Sequence, residues 1–165
     1  MDYEQIDIFE EDFWKLKNIL TNLKNILDAR MILLIDRAGQ LIASAGDPED
    51  IDVMAFSSLV AADYAATSHL ATLIGEDEFS TLHHQGQRHN IFIQIVNNKF
   101  ILAVIAKAHY PLGRVKVETL RTKQDLSEVF VSITQKMQEE KPEKLPSEDL
   151  SSEIDNFLED FFNNL

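Results

Sequence analysis

The first part of the chain has the hydrophobic pattern of a helix followed by two strands. Apolar residues recur every three or four positions from Phe9 to Leu27, which predicts a helix that ends near Asp28. The run from Arg30 to Asp36 is continuously apolar between charged ends and predicts a strand that is buried on both faces. After a turn at 37–39, the looser alternation in GQLIASAG predicts a second strand.

The rest of the chain predicts a helix, three strands and a last helix. Residues 51–74 have helical spacing up to Gly75, a residue that commonly follows a helix C-terminus. Turn sequences at 86–88 and 97–98 separate three predicted strands, which are Phe79–Gln85, His89–Val96 and Phe100–Ala106. The first of these strands is the most polar and predicts a sheet edge, whereas FILAVIA predicts a central position. A final helix follows Pro111 and runs to about Gln138.

This order of elements predicts an α/β fold, an α+β sandwich of three layers around a five-stranded antiparallel sheet. Two of the strands have two apolar faces, so helices are expected on both sides of the sheet. We assign residues 1–140 to this domain. Residues 141–147 contain two prolines and are predicted as a linker, and residues 148–165 are predicted as an acidic amphipathic C-terminal helix.

The negative charge of the chain lies at its two ends. The net charge is −13, and residues 1–12 and 146–165 each carry six acids and no base. The part between them is nearly neutral and has no concentrated basic surface, so we expect no nucleic-acid partner. The longest apolar run is too short to cross a bilayer, so no membrane insertion is expected. The absence of cysteine fits a reducing compartment, and we expect a cytoplasmic protein.

The sequence offers no catalytic, cofactor or metal site. A glycine-rich phosphate loop is absent, so the chain is not predicted to be a GTPase itself. Adjacent histidines at 83 and 84 should point to opposite faces of a strand, which leaves at most two histidines, one of them His89, on one side. Ser57 and Ser58 are interpreted as helix-capping residues rather than nucleophiles. We therefore expect neither an enzyme nor a metal protein.

The second predicted helix has an unusual surface. Projection at about 100° per residue places one set of residues together, which we expect to pack on the sheet: Leu59, Ala62, Ala66, Leu70, Leu73 and Ile74. The opposite side carries small residues where a solvated face would carry Lys and Glu: Ser58, Ala61, Ala65, Ser68 and Thr72, with His69 at the border. Alanine is also simply a good helix former. The functional interpretation is an interface shared by a twin subunit and a partner protein.

The C-terminal segment carries a second candidate interface. A single helical stripe is formed by Leu150, Ile154, Phe157, Leu158, Phe161, Phe162 and Leu165, and the other faces are acidic. Burial of this stripe and the entropy cost of ordering the segment are of similar size, so the helix should be marginal alone. It either packs on its own domain or docks in a partner groove, and docking is favoured.

Three segments resemble bacterial MglB proteins of the Roadblock superfamily. They are LLIDRAGQLIASAG at 33–46, SLVAADYAATSHLATLIGEDEF at 58–79 and PLGRVKV at 111–117. Segment order and spacing agree over about residues 10–130, and ATLIGEDEF is the most specific piece. SSEIDNFLEDFF is also similar to the C-terminal helix of the family.

This resemblance implies a Roadblock-type fold and a homodimer in which second helices and edge strands pair. It further implies that the dimer acts on one Ras-like small GTPase of the MglA type, and stimulates GTP hydrolysis by positioning the switch residues of that GTPase. The C-terminal helix is associated with nucleotide exchange, and the implied setting is cell polarity and gliding motility at a cell pole.

The resemblance also implies which residues make the contacts with the GTPase. On the helix face these are Ala61, Ala65, Ser68, His69 and Thr72, and on the tail they are Leu150, Ile154, Phe157, Leu158 and Phe161. His69 departs from the small residue that relatives tend to have at its position. Two alternatives remain: a scaffold of the same fold that binds a partner without changing GTP turnover, and a PAS-like sensory domain, which would need an interior cavity.

Overall fold

The computed structural model describes residues 8–140, with side chains up to Gln138. The predicted order of helices and strands is confirmed. The elements are α1 (Glu10–Leu27), β1 (Met31–Asp36), β2 (Leu41–Gly46), α2 (Val53–Leu73), β3 (Thr81–Gln85), β4 (His89–Val96), β5 (Phe100–Lys107) and α3 (Leu112–Glu140). Residues 8–133 belong to one compact unit, and 134–140 are the last turns of α3. The predicted linker and C-terminal helix lie outside the described residues.

The five strands form one antiparallel sheet in the order β2-β1-β5-β4-β3. The predicted positions of the apolar strands are confirmed, because β5 is central and β1 lies between β2 and β5. The polar strand β3 is an edge strand, also as predicted. Leu33 of β1 lies opposite Ser44 of β2 and Ala103 of β5, so β1 is paired along both sides.

The sheet separates two cores, which confirms the three-layer architecture. Alternate residues of β1 and β5, such as Leu33 and Ala103, belong to a buried cluster with Val60, Ala61 and Tyr64 of α2. The intervening strand residues point the other way, since side chains alternate along a strand. On that side α1 contacts β1 and β2 and buries Leu16, Leu20, Leu23 and Leu27. The α3 helix lies there too, and the ring of its Phe130 stacks on Phe100 with centroids 3.7 Å apart.

Local chemistry explains where several elements begin and end. Asp52 is the N-cap of α2, and its carboxylate accepts a hydrogen bond of 3.0 Å from the Ala55 backbone N–H. The interpretation of Ser57 and Ser58 as caps is therefore wrong, because both lie inside α2, where Ser57 is fully buried. Asn97 and Asn98 both have positive φ, as a two-residue turn between antiparallel strands requires.

The end of α1 is tied to the end of the central strand. Asp28 caps α1 in the left-handed conformation, with φ at 44°. The Lys107 ammonium group donates a hydrogen bond to the Asp28 carboxylate and, by this bond and its charge, lowers the pKa of Asp28 below its ordinary value. Tyr110, after β5, also donates a hydrogen bond of 2.9 Å to the Ile26 carbonyl. These contacts fix α1 against the sheet.

Across residues 8–140, none of the helices combines the length and the apolar character that a membrane crossing requires.

Candidate partner-binding face

The α2 helix is apolar around most of its circumference. One stripe faces the sheet and is buried or half-buried: Val53, Phe56, Ser57, Val60, Ala61, Tyr64, Thr67, Ser68 and Ala71. These positions recur every three or four residues, as expected for the packed side of a helix. The opposite side includes five large apolar side chains that are each more than half exposed: Met54, Leu59, Leu70, Leu73 and the adjoining Ile74. We call this side the outer face of α2.

This orientation differs from the predicted one. The expectation that Leu59, Ala62, Ala66, Leu70, Leu73 and Ile74 pack on the sheet is wrong, because all six are exposed. The reason is that α2 has apolar residues on both sides, so the pattern contains little information about which side faces inward. The sheet-facing side could have been recognised from its bulky residues, which recur every four positions: Phe56, Val60 and Tyr64.

The residues predicted for the helix contact are split between the two sides of α2. Ala65, His69 and Thr72 are exposed and lie on the outer face. Ala61 is only 5% exposed and packs in the core with the sheet, so it offers almost no surface. Ser68 is half-buried. The contact role of these five residues stays a prediction.

A polar cluster fixes α2 in this orientation. The Tyr64 hydroxyl donates a hydrogen bond of 2.7 Å to Glu78 Oε2, in the segment that leads to β3. Arg37, from the β1–β2 turn, lies 3.6 Å from the same carboxylate oxygen, and its guanidinium carbon is 5.3 Å from the centre of the Tyr64 ring. Burial and the bond to Glu78 raise the pKa of Tyr64. The cluster joins three segments of the chain at the inner side of α2.

The edge strand β3 is joined to α2 by a hydrogen bond between side chains. His84 Nε2 lies 2.7 Å from Asp63 Oδ2, and both side chains are partly exposed. His83 points to the other face of the sheet, as predicted for adjacent strand residues, and its ring lies near that of Phe92. Within residues 8–140, no group of three or more His, Asp or Glu side chains is arranged to hold a metal ion. His84 therefore belongs to the border between α2 and the sheet edge.

The second predicted contact set lies outside the described residues. It comprises Leu150, Ile154, Phe157, Leu158 and Phe161, all in the C-terminal segment.

The family of the chain follows from comparison with known proteins. The family model for the Roadblock/LC7 domain matches residues 15–106, which span α1 to β5. The chain belongs to the Roadblock/LC7 family. The Roadblock fold is thereby shown, and it replaces the PAS-like alternative.

Within the Roadblock/LC7 family, the chain is similar to MglB proteins of known structure. It is 34% identical to Myxococcus xanthus MglB, with a TM-score of 0.73, and the match covers 77% of this chain and 96% of that one. The gliding protein MglB of Thermus thermophilus is 27% identical with a TM-score of 0.71, over 76% of this chain and 95% of that one.

An MglB described as having a tetrameric arrangement is 26% identical with a TM-score of 0.74, over 78% of this chain and 97% of that one. No curated protein sequence matches the chain significantly. The chain is thus an MglB-like Roadblock protein, as its sequence segments indicated.

Proposed function

We propose that this Roadblock protein is a homodimeric regulator of a Ras-like small GTPase of the MglA type. In this proposal it stimulates GTP hydrolysis in the cytoplasm, at a cell pole, and serves cell polarity and gliding motility. The similarity to MglB supports the proposal, and one of the similar proteins is itself a gliding protein. The observation that carries it furthest is the outer face of α2.

The outer face of α2 has the composition of an interface. Its five large apolar side chains are exposed in the single protomer, and α2 carries no Lys, Arg or Glu. A helix that is apolar on all sides is stable in water only when both sides are covered. A second protomer and the partner GTPase would together cover this face.

The edge strand β3 supports the dimer. It is the last strand of the sheet, so the backbone groups on its outer side are not paired within the described sheet. Pairing of β3 with β3 of a second protomer would continue the sheet and bring the two α2 helices side by side. This arrangement has two-fold symmetry, as most homodimers do.

The composition of α2 also indicates how the protein would act on the GTPase. An arginine finger requires a guanidinium group that can reach the transferred phosphate, and α2 has no basic side chain except His69. Arg37, in the nearby turn, is engaged by Glu78 and the Tyr64 ring. As the resemblance to MglB implies, the protein would hold the switch elements of the GTPase in the hydrolysing arrangement and supply no catalytic group, and the lack of Lys and Arg in α2 is consistent with this. The proposal also includes a role in nucleotide exchange for the C-terminal segment, which lies outside the described residues.

Single-turnover GTP hydrolysis by an MglA-type GTPase tests this proposal. The wild-type protein should accelerate phosphate release, and Leu70→Glu should reduce the acceleration at least about tenfold, because a charge would replace apolar contact. Leu120→Glu on α3 is the matched control, since Leu120 is 51% exposed and Leu70 is 55% exposed. This control should retain full stimulation.

The outcomes separate regulation from scaffolding. Binding of the GTPase without a change in phosphate release would favour the scaffold and contradict the regulatory proposal. Equal loss in Leu70→Glu and Leu120→Glu would show that the outer face of α2 is not the contact.

A further inference from the structure

A positively charged cleft lies on the side of the sheet opposite α2. It has a volume of about 590 Å³ and lies between the C-terminal half of α1, the β1 and β2 strand ends, and the adjoining ends of β4 and β5. Four lysine and arginine side chains line it: Lys17, Lys24, Arg30 and Lys107. His89 lies at the same site. In a chain with a net charge of −13, this concentration of positive charge needs an explanation.

The acidic side chains of the cleft do not balance its basic ones. Two carboxylates, Asp28 and Asp47, line the cleft beside the four basic groups. Asp28 is paired with Lys107, and Asp47 accepts a hydrogen bond of 2.9 Å from the Glu49 backbone N–H. The formal charges of these four basic and two acidic side chains leave a surplus of two positive charges in the cleft.

Two of the basic groups are held in place by neutral partners. The Lys17 ammonium group donates to the Ser44 carbonyl oxygen, and the Arg30 guanidinium group donates to the Glu49 carbonyl oxygen. A carbonyl oxygen positions a cation without cancelling its charge. Lysine has three N–H donors and arginine has five, so both retain donors for a further acceptor.

The remaining lining indicates the class of ligand. The apolar side chains of the cleft are two alanines, Ala29 and Ala45, and there is no Phe, Tyr or Trp in its lining. A docked peptide needs apolar anchor pockets, and a nucleobase is usually held by stacking on an aromatic ring. The cleft offers neither. Its volume is in the range of small-molecule sites, and Arg with Lys is the usual combination for phosphate groups.

We propose that this cleft binds a small anion with two or more phosphate groups. Each phosphate group carries about 1.5 to 2 negative charges at pH 7, so one phosphate group already matches the surplus of two positive charges. A second phosphate group adds acceptor oxygens for the three basic side chains that retain donors, Lys17, Lys24 and Arg30. Lys24 and the spare donors of Lys17 and Arg30 bind its oxygens. Because α1 and α2 lie on opposite faces of the sheet, the site remains open while the outer face of α2 is covered, and it does not depend on the proposed function.

Isothermal titration calorimetry of the full-length protein with inorganic pyrophosphate tests the site. We expect saturable binding to the wild type. Lys24→Gln and Arg30→Gln should each weaken it at least about tenfold, which is the effect of losing one charge-assisted hydrogen bond. Lys116→Gln is the control, because Lys116 is an exposed lysine of α3 outside the cleft. Circular dichroism confirms that each variant is folded.

Two further titrations, with orthophosphate and with an acidic peptide, identify the class of anion that the cleft binds. Orthophosphate should bind more weakly than pyrophosphate, because it carries fewer charges. A hexaglutamate peptide should not compete. The proposal is overturned if pyrophosphate does not bind the wild type at millimolar concentration. It is also overturned if wild type and Lys24→Gln bind pyrophosphate with equal affinity. So does binding of the peptide alone, which would make the cleft a docking surface for an acidic protein segment.

Discussion

Two glycines allow the chain to approach itself more closely than any other residue would. Gly46, at the end of β2, has a φ of 115°, and a Cβ placed there would lie 2.8 Å from Met31 Cα. Gly39, in the β1–β2 turn, has a φ of 87°, and a Cβ there would lie 2.8 Å from Ser58 Cα in α2. Both conformations favour glycine, and neither position has room for a side chain. The sequence places Gly39 in a turn and Gly46 at the end of a strand, but it does not reveal the close contacts.

Replacement of Gly46 by alanine should destabilise the protein more than replacement of Gly75. Both glycines have positive φ, which costs about 1–2 kcal/mol for alanine. At Gly46 the added methyl group also meets backbone atoms, whereas at Gly75 no atom lies within 4 Å. Urea denaturation should therefore show a lower free energy of unfolding for Gly46→Ala than for Gly75→Ala. Equal free energies of unfolding for the two variants would mean that the end of β2 shifts to accommodate the methyl group without loss of stability.

At the scale of elements, α3 is held to the sheet by a stacked aromatic pair. Phe130 and Phe100 have ring planes 7° apart. Phe130 belongs to a buried stripe of α3 with Val115, Thr119, Thr122, Leu126 and Ile133. The stripe follows the three- and four-residue spacing of a helix, so the sheet-facing side of α3 can be read from the sequence.

Loss of the Phe130 ring should lower the stability of the protein substantially. Phe130→Ala should lower the free energy of unfolding by about 3–5 kcal/mol, because it removes a buried ring and leaves a cavity. Val131→Ala is the control. Val131 is 52% exposed, so its truncation should change stability by less than about 0.5 kcal/mol in chemical denaturation. A loss below about 1 kcal/mol for Phe130→Ala would mean that α3 contributes little to the fold.

Comparison of the predicted and observed positions of the strands and helices shows which features the sequence pattern determines. β1 and β5 were placed correctly because a strand with two apolar faces fits only the inside of a sheet. The edge position of β3 followed from its polar residues. The orientation of α2 could not be obtained in this way, because its inner and outer faces are both apolar. An interface helix lacks the contrast between core and solvent that periodicity detects, so the sheet-facing side of α2 was predicted wrongly. The predicted contact residues are therefore divided between an exposed group (Ala65, His69 and Thr72) and a buried or half-buried group (Ala61 and Ser68).

At the scale of the whole molecule, the apolar outer face of α2 and the open edge of β3 predict a homodimer. Sedimentation velocity at about 10–50 µM, where a modest interface is occupied, should give a mass of at least two protomers. Leu73→Glu should shift the protein toward the monomer, because it places a charge in the apolar face, whereas Leu120→Glu should not. A wild-type monomer throughout this concentration range would contradict the dimer.

The strand order described above also has a consequence for the folding rate. The hairpins β1–β2, β3–β4 and β4–β5 pair neighbours in the chain, but Asp36 of β1 pairs with Phe100 of β5 across the whole of β2, α2, β3 and β4. Closure of this long loop costs entropy before the pairing contributes any hydrogen bonds. We therefore expect the hairpins to form first and the central pairing to be a slow step. Until it is complete the inner face of α2 has no sheet to pack on, so a newly made chain exposes both apolar sides of this helix.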